Sequence, residues 1–134
     1  MSRAHVVFAC VHNAGRSQMA AAFFRALADP AKAEGTSAGT RPGPHVHPEV
    51  VEAMREAGIE VSAARPRLLT DELARSATLL VTMGCGEDCP FVPGLEHLDW
   101  PLDDPKGRSV EQVRAIRDEV CRRVAALVEG RGWR

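Results

Sequence analysis

The stretch His5-Val6-Val7-Phe8-Ala9-Cys10-Val11-His12-Asn13-Ala14-Gly15-Arg16-Ser17 decides how the rest of the chain is read. His5 to Ala9 is a short apolar run of strand type that delivers the chain to Cys10. From Ser17 to Leu27, the residues Met19, Ala20, Phe23, Phe24 and Leu27 recur at helical spacing. A strand-loop-helix turn is therefore predicted, with Cys10 at the strand end. A loop that opens a helix points free backbone N–H groups and the positive end of the helix dipole into its concavity, which suits an oxyanion. Val11, His12, Asn13, Ala14, Gly15, Arg16 and Ser17 are the candidate oxyanion cradle, and Cys10 at its mouth is the candidate nucleophile. The N–H groups and the Arg16 guanidinium stabilise the thiolate, the nucleophilic form of a cysteine. Arg16 also presents a planar donor fork matched to two oxygens of a tetrahedral anion. Gly15 supplies backbone freedom, Asn13 tolerates left-handed dihedrals, and Ser17 is placed to donate a hydrogen bond to the Cys10 sulfur. The plainer alternative is a buried strand-end cysteine followed by a solvated arginine. Strand, Cys, Gly, Arg, Ser and helix in that order weigh against it.

A chain of 134 residues with 45% hydrophobic and 26% charged residues has the size and composition of one soluble domain, residues 1–134, with its own core. A net charge of −1 argues against a nucleic-acid partner. No apolar run approaches the roughly 20 residues of a membrane span, and the N-terminus lacks a secretory pattern. The expectation is a cytoplasmic protein, monomeric and without a membrane partner. In that setting the four cysteines read as catalytic, redox or metal-binding rather than as structural disulfides.

Along the chain, a weak strand is predicted near Ala33 to Ala38, then a Gly-, Pro- and His-rich loop from Gly39 to His47. His45 and His47 read there as exposed loop residues. A second helix starts at Pro48, carries Val50, Val51 and Met54 on one face, and stops at Gly58. Ile59-Glu60-Val61 is ambiguous, and Ala63 to Leu69 reads as a surface connection. Thr70 caps a brief helix to about Arg75, and Thr78 to Met83 is the second strong strand. Leu95 to Trp100 is a further strand, and Ser109 with Gln112 forms a capping box for a long final helix. Cys121 on that helix reads as an inert core thiol. Strands alternating with helices predict an α/β fold with a parallel four-stranded sheet and helices on both faces. In such sheets ligands bind at the carboxyl ends of the strands, where Cys10 lies.

The second strong strand leads into Gly84-Cys85-Gly86-Glu87-Asp88-Cys89-Pro90, which puts two thiols at the same sheet edge. One reading is a thiol relay, in which Cys85 attacks a species on Cys10 and Cys89 then attacks the resulting disulfide. Zinc is an alternative, with His97 or His12 as further ligands, although the Glu87-Asp88 pair completes no tetrahedral set. Two incidental loop thiols are the third reading. Displacement at a tetrahedral oxyanion also needs a proton donor for the departing oxygen. Asp99, Asp103 and Asp104 follow the last strand, and Asp104 is favoured because Pro105 restrains the residue before it.

These residues resemble a known family. Cys10 to Ser17 is similar to the C-x5-R-S loop of low-molecular-weight protein tyrosine phosphatases, and Asp104-Pro105 to their general-acid loop. Cys10 to Ala20, Met83-Gly84-Cys85 through Cys89-Pro90, Leu98-Asp99-Trp100 and Asp104-Pro105 together look like the thioredoxin-coupled arsenate reductases built on that phosphatase fold. The resemblance implies that Cys10 forms a thio-arsenate adduct in the Arg16 cradle, that Ser17 supports its thiolate, and that Asp104 protonates the departing oxygen. It implies that Cys85 then attacks Cys10 and releases arsenite, and that Cys89 takes over Cys85. The resulting Cys85–Cys89 disulfide would be reduced by thioredoxin or a similar redoxin, with phosphate and sulfate as competing anions.

Some members of that family bind potassium through an Asn and a Glu beside the loop. Here Asn13 is present but the helix reads Met19-Ala20-Ala21-Ala22, so no cofactor and no metal site is expected. The competing enzyme reading is a phosphatase that hydrolyses phosphate monoesters through phospho-Cys10. It has no use for a Cys85/Cys89 pair, and Lys106-Gly107 stands where tyrosine phosphatases usually place aromatic residues. A non-catalytic anion- or metal-binding protein is the alternative from another class.

Overall fold

The computed structural model describes residues 3–85, 89 and 91–134. Its elements run β1 (Ala4–Cys10), α1 (Arg16–Leu27), β2 (Ala33–Gly39), α2 (Pro48–Glu56), α3 (Asp71–Ser76), β3 (Leu79–Thr82), β4 (Glu96–Asp99) and α4 (Val110–Arg131). The strands form one sheet in the order β2-β1-β3-β4, and every neighbouring pair is parallel. This is the α/β architecture expected from the alternating pattern.

Register places the functional edge. Cys10 pairs with Gly39, Ala9 with Thr82, and Thr82 with Asp99, so the carboxyl ends of all four strands lie in one row. From β1 the chain turns first to β2 on one side and later to β3 on the other. Cys10 therefore ends the strand at which the winding reverses, where a crevice opens beyond a parallel sheet.

Alternation along β1 divides the core. Val6, Phe8 and Cys10 join Met19, Phe24, Val50, Met54, Val113, Val120 and Val124 on one face. Val7, Ala9 and Leu80 face the other way, with Ala77 and the half-buried Leu69, Leu73 and Leu95. The first layer is the thicker. Phe8 meets Phe24 edge-on at 5.7 Å and Trp100 at 6.0 Å, and Phe24 meets Trp133 at 5.8 Å. Each such side chain stabilises the fold by about 1.5–3 kcal/mol through burial. Every residue of α1 from Arg16 to Phe24 is buried, because that helix is enclosed by the sheet and α4.

Helix ends follow local chemistry. Thr70 Oγ1 accepts from Leu73 N at 3.0 Å to start α3, and Ser109 with Gln112 makes the predicted capping box of α4. Gly132, with φ of 70°, stops α4 in the left-handed region. By contrast α1 starts at Gly15 with no side-chain cap and no acid in its first turn. Its N-terminal donors are left for another partner.

One expectation changes, and the ambiguous segment is placed. The segment from Ala63 to Leu69 is no mere surface connection. Gly39 N donates to Arg67 O at 2.9 Å, Leu69 N donates to Gly39 O at 2.8 Å, and Leu68 bridges Gly39 in parallel. The pairing extends the edge of β2 through backbone groups alone, so no side-chain pattern announces it. Ile59-Glu60-Val61 forms no strand; Val61 is buried against the core, and Glu60 pairs with Arg55 at 2.8 Å. Among the described residues no helix is long and apolar enough to cross a membrane.

Candidate active site

The loop after β1 is held from outside by its carbonyls. Cys10 O accepts from Thr40 N, Val11 O from Arg41 N, His12 O from Gly43 N, and Ala14 O from His47 N, at 2.8–3.1 Å. Asn13 O accepts from Gln18 Nε2 at 3.1 Å, and Gly15 O from Met19 N at 2.9 Å. A peptide unit whose carbonyl points out points its N–H in, so the loop offers its donors to its own concavity. The segment expected to be a plain loop, Gly39 to His47, is the belt that does this.

Inside the belt, Asn13 fixes the polarity of the site. It has φ of 51° and is fully buried. Its Oδ1 accepts from Arg67 N at 3.0 Å and from Gln18 Nε2 at 3.3 Å. A backbone N–H can only donate, which fixes the orientation of the amide and leaves Nδ2 as the donor to Ser17 Oγ at 2.7 Å. Ser17 Oγ, which accepts from that amide, lies 2.9 Å from Cys10 Sγ and donates its hydrogen to the sulfur when Cys10 is a thiolate, which can only accept. The sulfur thus sits at the end of a fully buried chain of polar groups, Asn13 to Ser17 to Cys10.

Arg16 closes the cradle. Its side chain is 5% exposed, Nη1 donates to Leu102 O at 3.3 Å, and Nη2 lies 3.6 Å from Asp104 Oδ2. The Nε of Arg16, Nδ1 of His12 and Oγ1 of Thr40 are buried polar atoms without a hydrogen-bond partner among the described residues. Two of them, Arg16 Nε and His12 Nδ1, belong to the side chains that face Asp104. Such groups are costly unless a ligand satisfies them.

Asp104 stands over the opening. Lys106 N donates to its Oδ1 at 3.0 Å, and its Oδ2 faces Arg16 and, at 3.9 Å, His12 Nδ1. Pro105 packs on Gly15 so closely that a Cβ there would lie 2.5 Å from the proline Cγ. Asp99 instead accepts from Thr82 Oγ1 at 2.8 Å, and Asp103 is exposed. Of the three aspartates, Asp104 is the one brought to the cradle.

Cys85 and Cys89 are joined as a disulfide with Cα atoms 5.3 Å apart, within the ordinary range, whereas Cys10 and Cys121 are free. Cys85 is buried and Cys89 half-exposed. Met83 N donates to Ala9 O at 2.8 Å, which carries the β1–β3 pairing up to the level of the cradle. Gly84, with φ of +93°, passes so close to Arg16 Nη1 that any Cβ would overlap it. The disulfide therefore begins one residue from the contact with the Arg16 guanidinium. Beside Cys89, the exposed ring of Phe91 stacks on His97 at 5.3 Å. Gly86, Glu87, Asp88 and Pro90 lie outside the described residues, and with them the reading of the acidic pair. Cys121 is half-buried against the core.

Among the described residues the zinc alternative finds no ligand set. Among the described residues no group of three or more His, Cys, Asp or Glu is arranged to hold a metal, and Cys85 and Cys89 are bonded to each other. The potassium ion that the resemblance would allow does not fit either. Asn13 Oδ1 is taken by two donors, and Ala20, Ala21 and Ala22 offer no carboxylate.

Four contributors escaped the sequence reading. His47 is no idle loop histidine, since its ring packs beside Gly15 and senses Asp104 and His12; burial holds its pKa below the usual imidazole value. Gln18 braces Asn13 and donates to Arg65 O at 3.3 Å. The backbone of Arg67 orients the Asn13 amide. A glutamine inside an otherwise apolar helix turn was a legible signal; the other two, and Gly84, depend on long-range contacts.

The family model for low molecular weight phosphotyrosine protein phosphatase matches residues 5–130. A Halobacterium salinarum protein provisionally named an arsenate reductase is 42% identical over 128 residues, covering 91% of this chain and 89% of its own. The glutaredoxin arsenate reductase of a Synechocystis species is 34% identical over 126 residues, covering 92% and 95%. Among solved structures, the thioredoxin-dependent arsenate reductase of Corynebacterium glutamicum superposes with a TM-score of 0.82 at 39% identity. That alignment covers 96% of this chain and 61% of the Corynebacterium chain. Matches of this extent, over the strands and the cradle just described, carry one conclusion: the chain belongs to the low molecular weight phosphotyrosine protein phosphatase family.

Proposed function

We propose that this protein is an arsenate reductase in which Cys10, Cys85 and Cys89 pass two electrons to arsenate. The observation that carries this reading is the Cys85–Cys89 disulfide, which starts one residue from the guanidinium of Arg16 at the edge of the sheet that holds Cys10. A phosphatase needs the cradle but no such pair. Arsenate enters the loop against Arg16 and the inward N–H groups of Val11 to Ser17, in a site that phosphate and sulfate also fit. The Cys10 thiolate, supported by Ser17, attacks arsenic, and Asp104 gives its proton to the departing oxygen, which leaves as water. Cys85 as thiolate then attacks the Cys10 sulfur. The As–S electron pair returns to arsenic, reducing As(V) to As(III), and arsenite leaves. Cys89 attacks Cys85, restores the Cys10 thiolate and leaves the disulfide seen here.

Burial of Cys85 and partial exposure of Cys89 support that order, since the second sulfur is the one an outside dithiol reaches. The donor is a thioredoxin- or glutaredoxin-type protein; relatives with either word in their names match this chain. Such donors keep the cytoplasm reducing, and that compartment suits the reading. All the residues invoked belong to one chain, so the reaction needs no second copy.

The test is steady-state arsenite production with a thioredoxin or glutaredoxin system. Cys10→Ser abolishes it, Cys85→Ser gives no arsenite, and Cys89→Ser stops after at most one turnover. Multiple turnovers by Cys85→Ser would sink the relay.

A further inference from the structure

Reduction of arsenate has a proton requirement that ester hydrolysis lacks. Monohydrogen arsenate with two thiols yields arsenous acid, water and a disulfide only if two protons are added beyond those of the thiols. Asp104 supplies one of them to the departing oxygen. The other must reach an arsenic-bound oxygen when the As–S pair collapses onto arsenic, because the oxygens of As(III) are far more basic than those of arsenate. Ester hydrolysis borrows one proton from its acid and returns it.

Resting on the reductase reading, we propose that His12 is a second catalytic acid, which delivers this second proton from Nδ1 to the arsenic-bound oxygen as arsenite leaves. His12 belongs to the cradle itself, and its carbonyl is pinned by Gly43 N at 2.9 Å. Its Nδ1 is buried and has no hydrogen-bond partner among the described residues, yet lies 3.9 Å from the Asp104 oxygen that faces Arg16. The side chain is 32% exposed, so the ring has a face on solvent from which the proton is replaced. When protonated, it forms an ion pair with Asp104 and waits beside the position of the oxyanion.

Asp104, from the loop after β4, faces the ring and is itself faced by Arg16 of α1, and His47, from the segment before α2, interacts electrostatically with His12, Asp104 and Lys106. Of the two histidines, His47 is the less suited to donate, since burial lowers its pKa and keeps it neutral at physiological pH. In sequence, the proton on Asp104 leaves with water as the S–As bond forms. The proton on His12 then moves to oxygen as the S–As bond breaks and the Cys10–Cys85 bond forms, and the two protons that Cys85 and Cys89 shed on ionising reach the remaining arsenite oxygens through water. Water reprotonates both groups between turnovers.

The experiment follows arsenite release from the fully reduced chain mixed with arsenate, for wild type, His12→Gln and His12→Ala, across pH 6–9. Phosphate affinity measured by calorimetry reports on the cradle. Loss of a general acid slows release about 10²–10⁴-fold, and bulk protons then carry the step, so the variant rate falls about tenfold per pH unit. Added imidazole restores the rate of His12→Ala. Wild type releasing arsenite, with His12→Gln equally fast, or slowed only in proportion to lost phosphate affinity with an unchanged pH profile, overturns the role of His12 alone. A wild type that releases no arsenite overturns the reductase reading with it.

Discussion

Replacing Gly84 by alanine tests whether Arg16, as positioned here, is the anion clamp. Gly84 has φ of +93°, and a Cβ there would overlap Arg16 Nη1 and lie 3.4 Å from Cζ. Gly94 offers a matched control: its φ is +82°, and a Cβ there would meet nothing within 4 Å. Both substitutions put a side chain in the left-handed region, at about 1–2 kcal/mol of stability each. Only Gly84→Ala also pushes on the guanidinium. The atom in the way is the far end of a long side chain, so the clash is relieved by swinging Arg16 off Leu102 O rather than by unfolding the edge of the sheet. A hydrogen bond to a charged group contributes about 1.5–3 kcal/mol. At 1.4 kcal/mol per tenfold, the variant should bind phosphate roughly tenfold to a hundredfold more weakly. Isothermal titration of phosphate into the reduced protein measures this, with urea unfolding to verify equal stability losses. If Gly84→Ala and Gly94→Ala bind phosphate equally well, Arg16 is not the clamp that the geometry describes.

Three further outcomes follow from other parts of the structure. Ser17→Ala removes the hydroxyl 2.9 Å from Cys10 Sγ; alkylation of Cys10 by iodoacetamide should slow about tenfold or more, and the orphaned Asn13 amide should cost about 1–3 kcal/mol in urea unfolding. Unchanged alkylation would remove Ser17 from the thiolate's support. His47 has its pKa lowered chiefly by burial, so the unfolded chain binds its proton first; stability is full above about pH 6.5 and declines as pH falls below it, and His47→Gln should flatten that part of the melting profile. An equally steep profile in the variant would refute the assignment. Ser109→Ala deletes the capping box of α4 and should cost about 1 kcal/mol in urea unfolding, with no change in phosphate affinity.

What the sequence disclosed and what it hid divide along a physical line. The cradle was legible because its residues are consecutive: a strand, a C-x5-R-S loop and a helix complete it within one turn. The parallel sheet and the row of carboxyl ends followed from alternation and the parallel rule, and the long final helix from Ser109 and Gln112. The supports were hidden because they act through backbone atoms distant in sequence. Arg67 contributes its N–H, Gly39 pairs with 67–69 through main chain, and the belt of Thr40 to His47 donates N–H groups to carbonyls. Apart from Gly39, where a Cβ would lie 2.6 Å from Val11 O, none of these requires a particular side chain, so they leave no pattern. His47 was misread for a related reason, since loop composition gives no sign of which loop folds back over a site.

The most direct measurement is a single turnover. Fully reduced protein is mixed with excess arsenate without any external reductant, arsenite is quantified, and disulfides are mapped by mass spectrometry. About one arsenite per chain, together with a Cys85–Cys89 disulfide and free Cys10 and Cys121 thiols, is the predicted result. No arsenite and four free thiols, with hydrolysis of an aryl phosphate by the same preparation, would contradict it and leave a phosphatase.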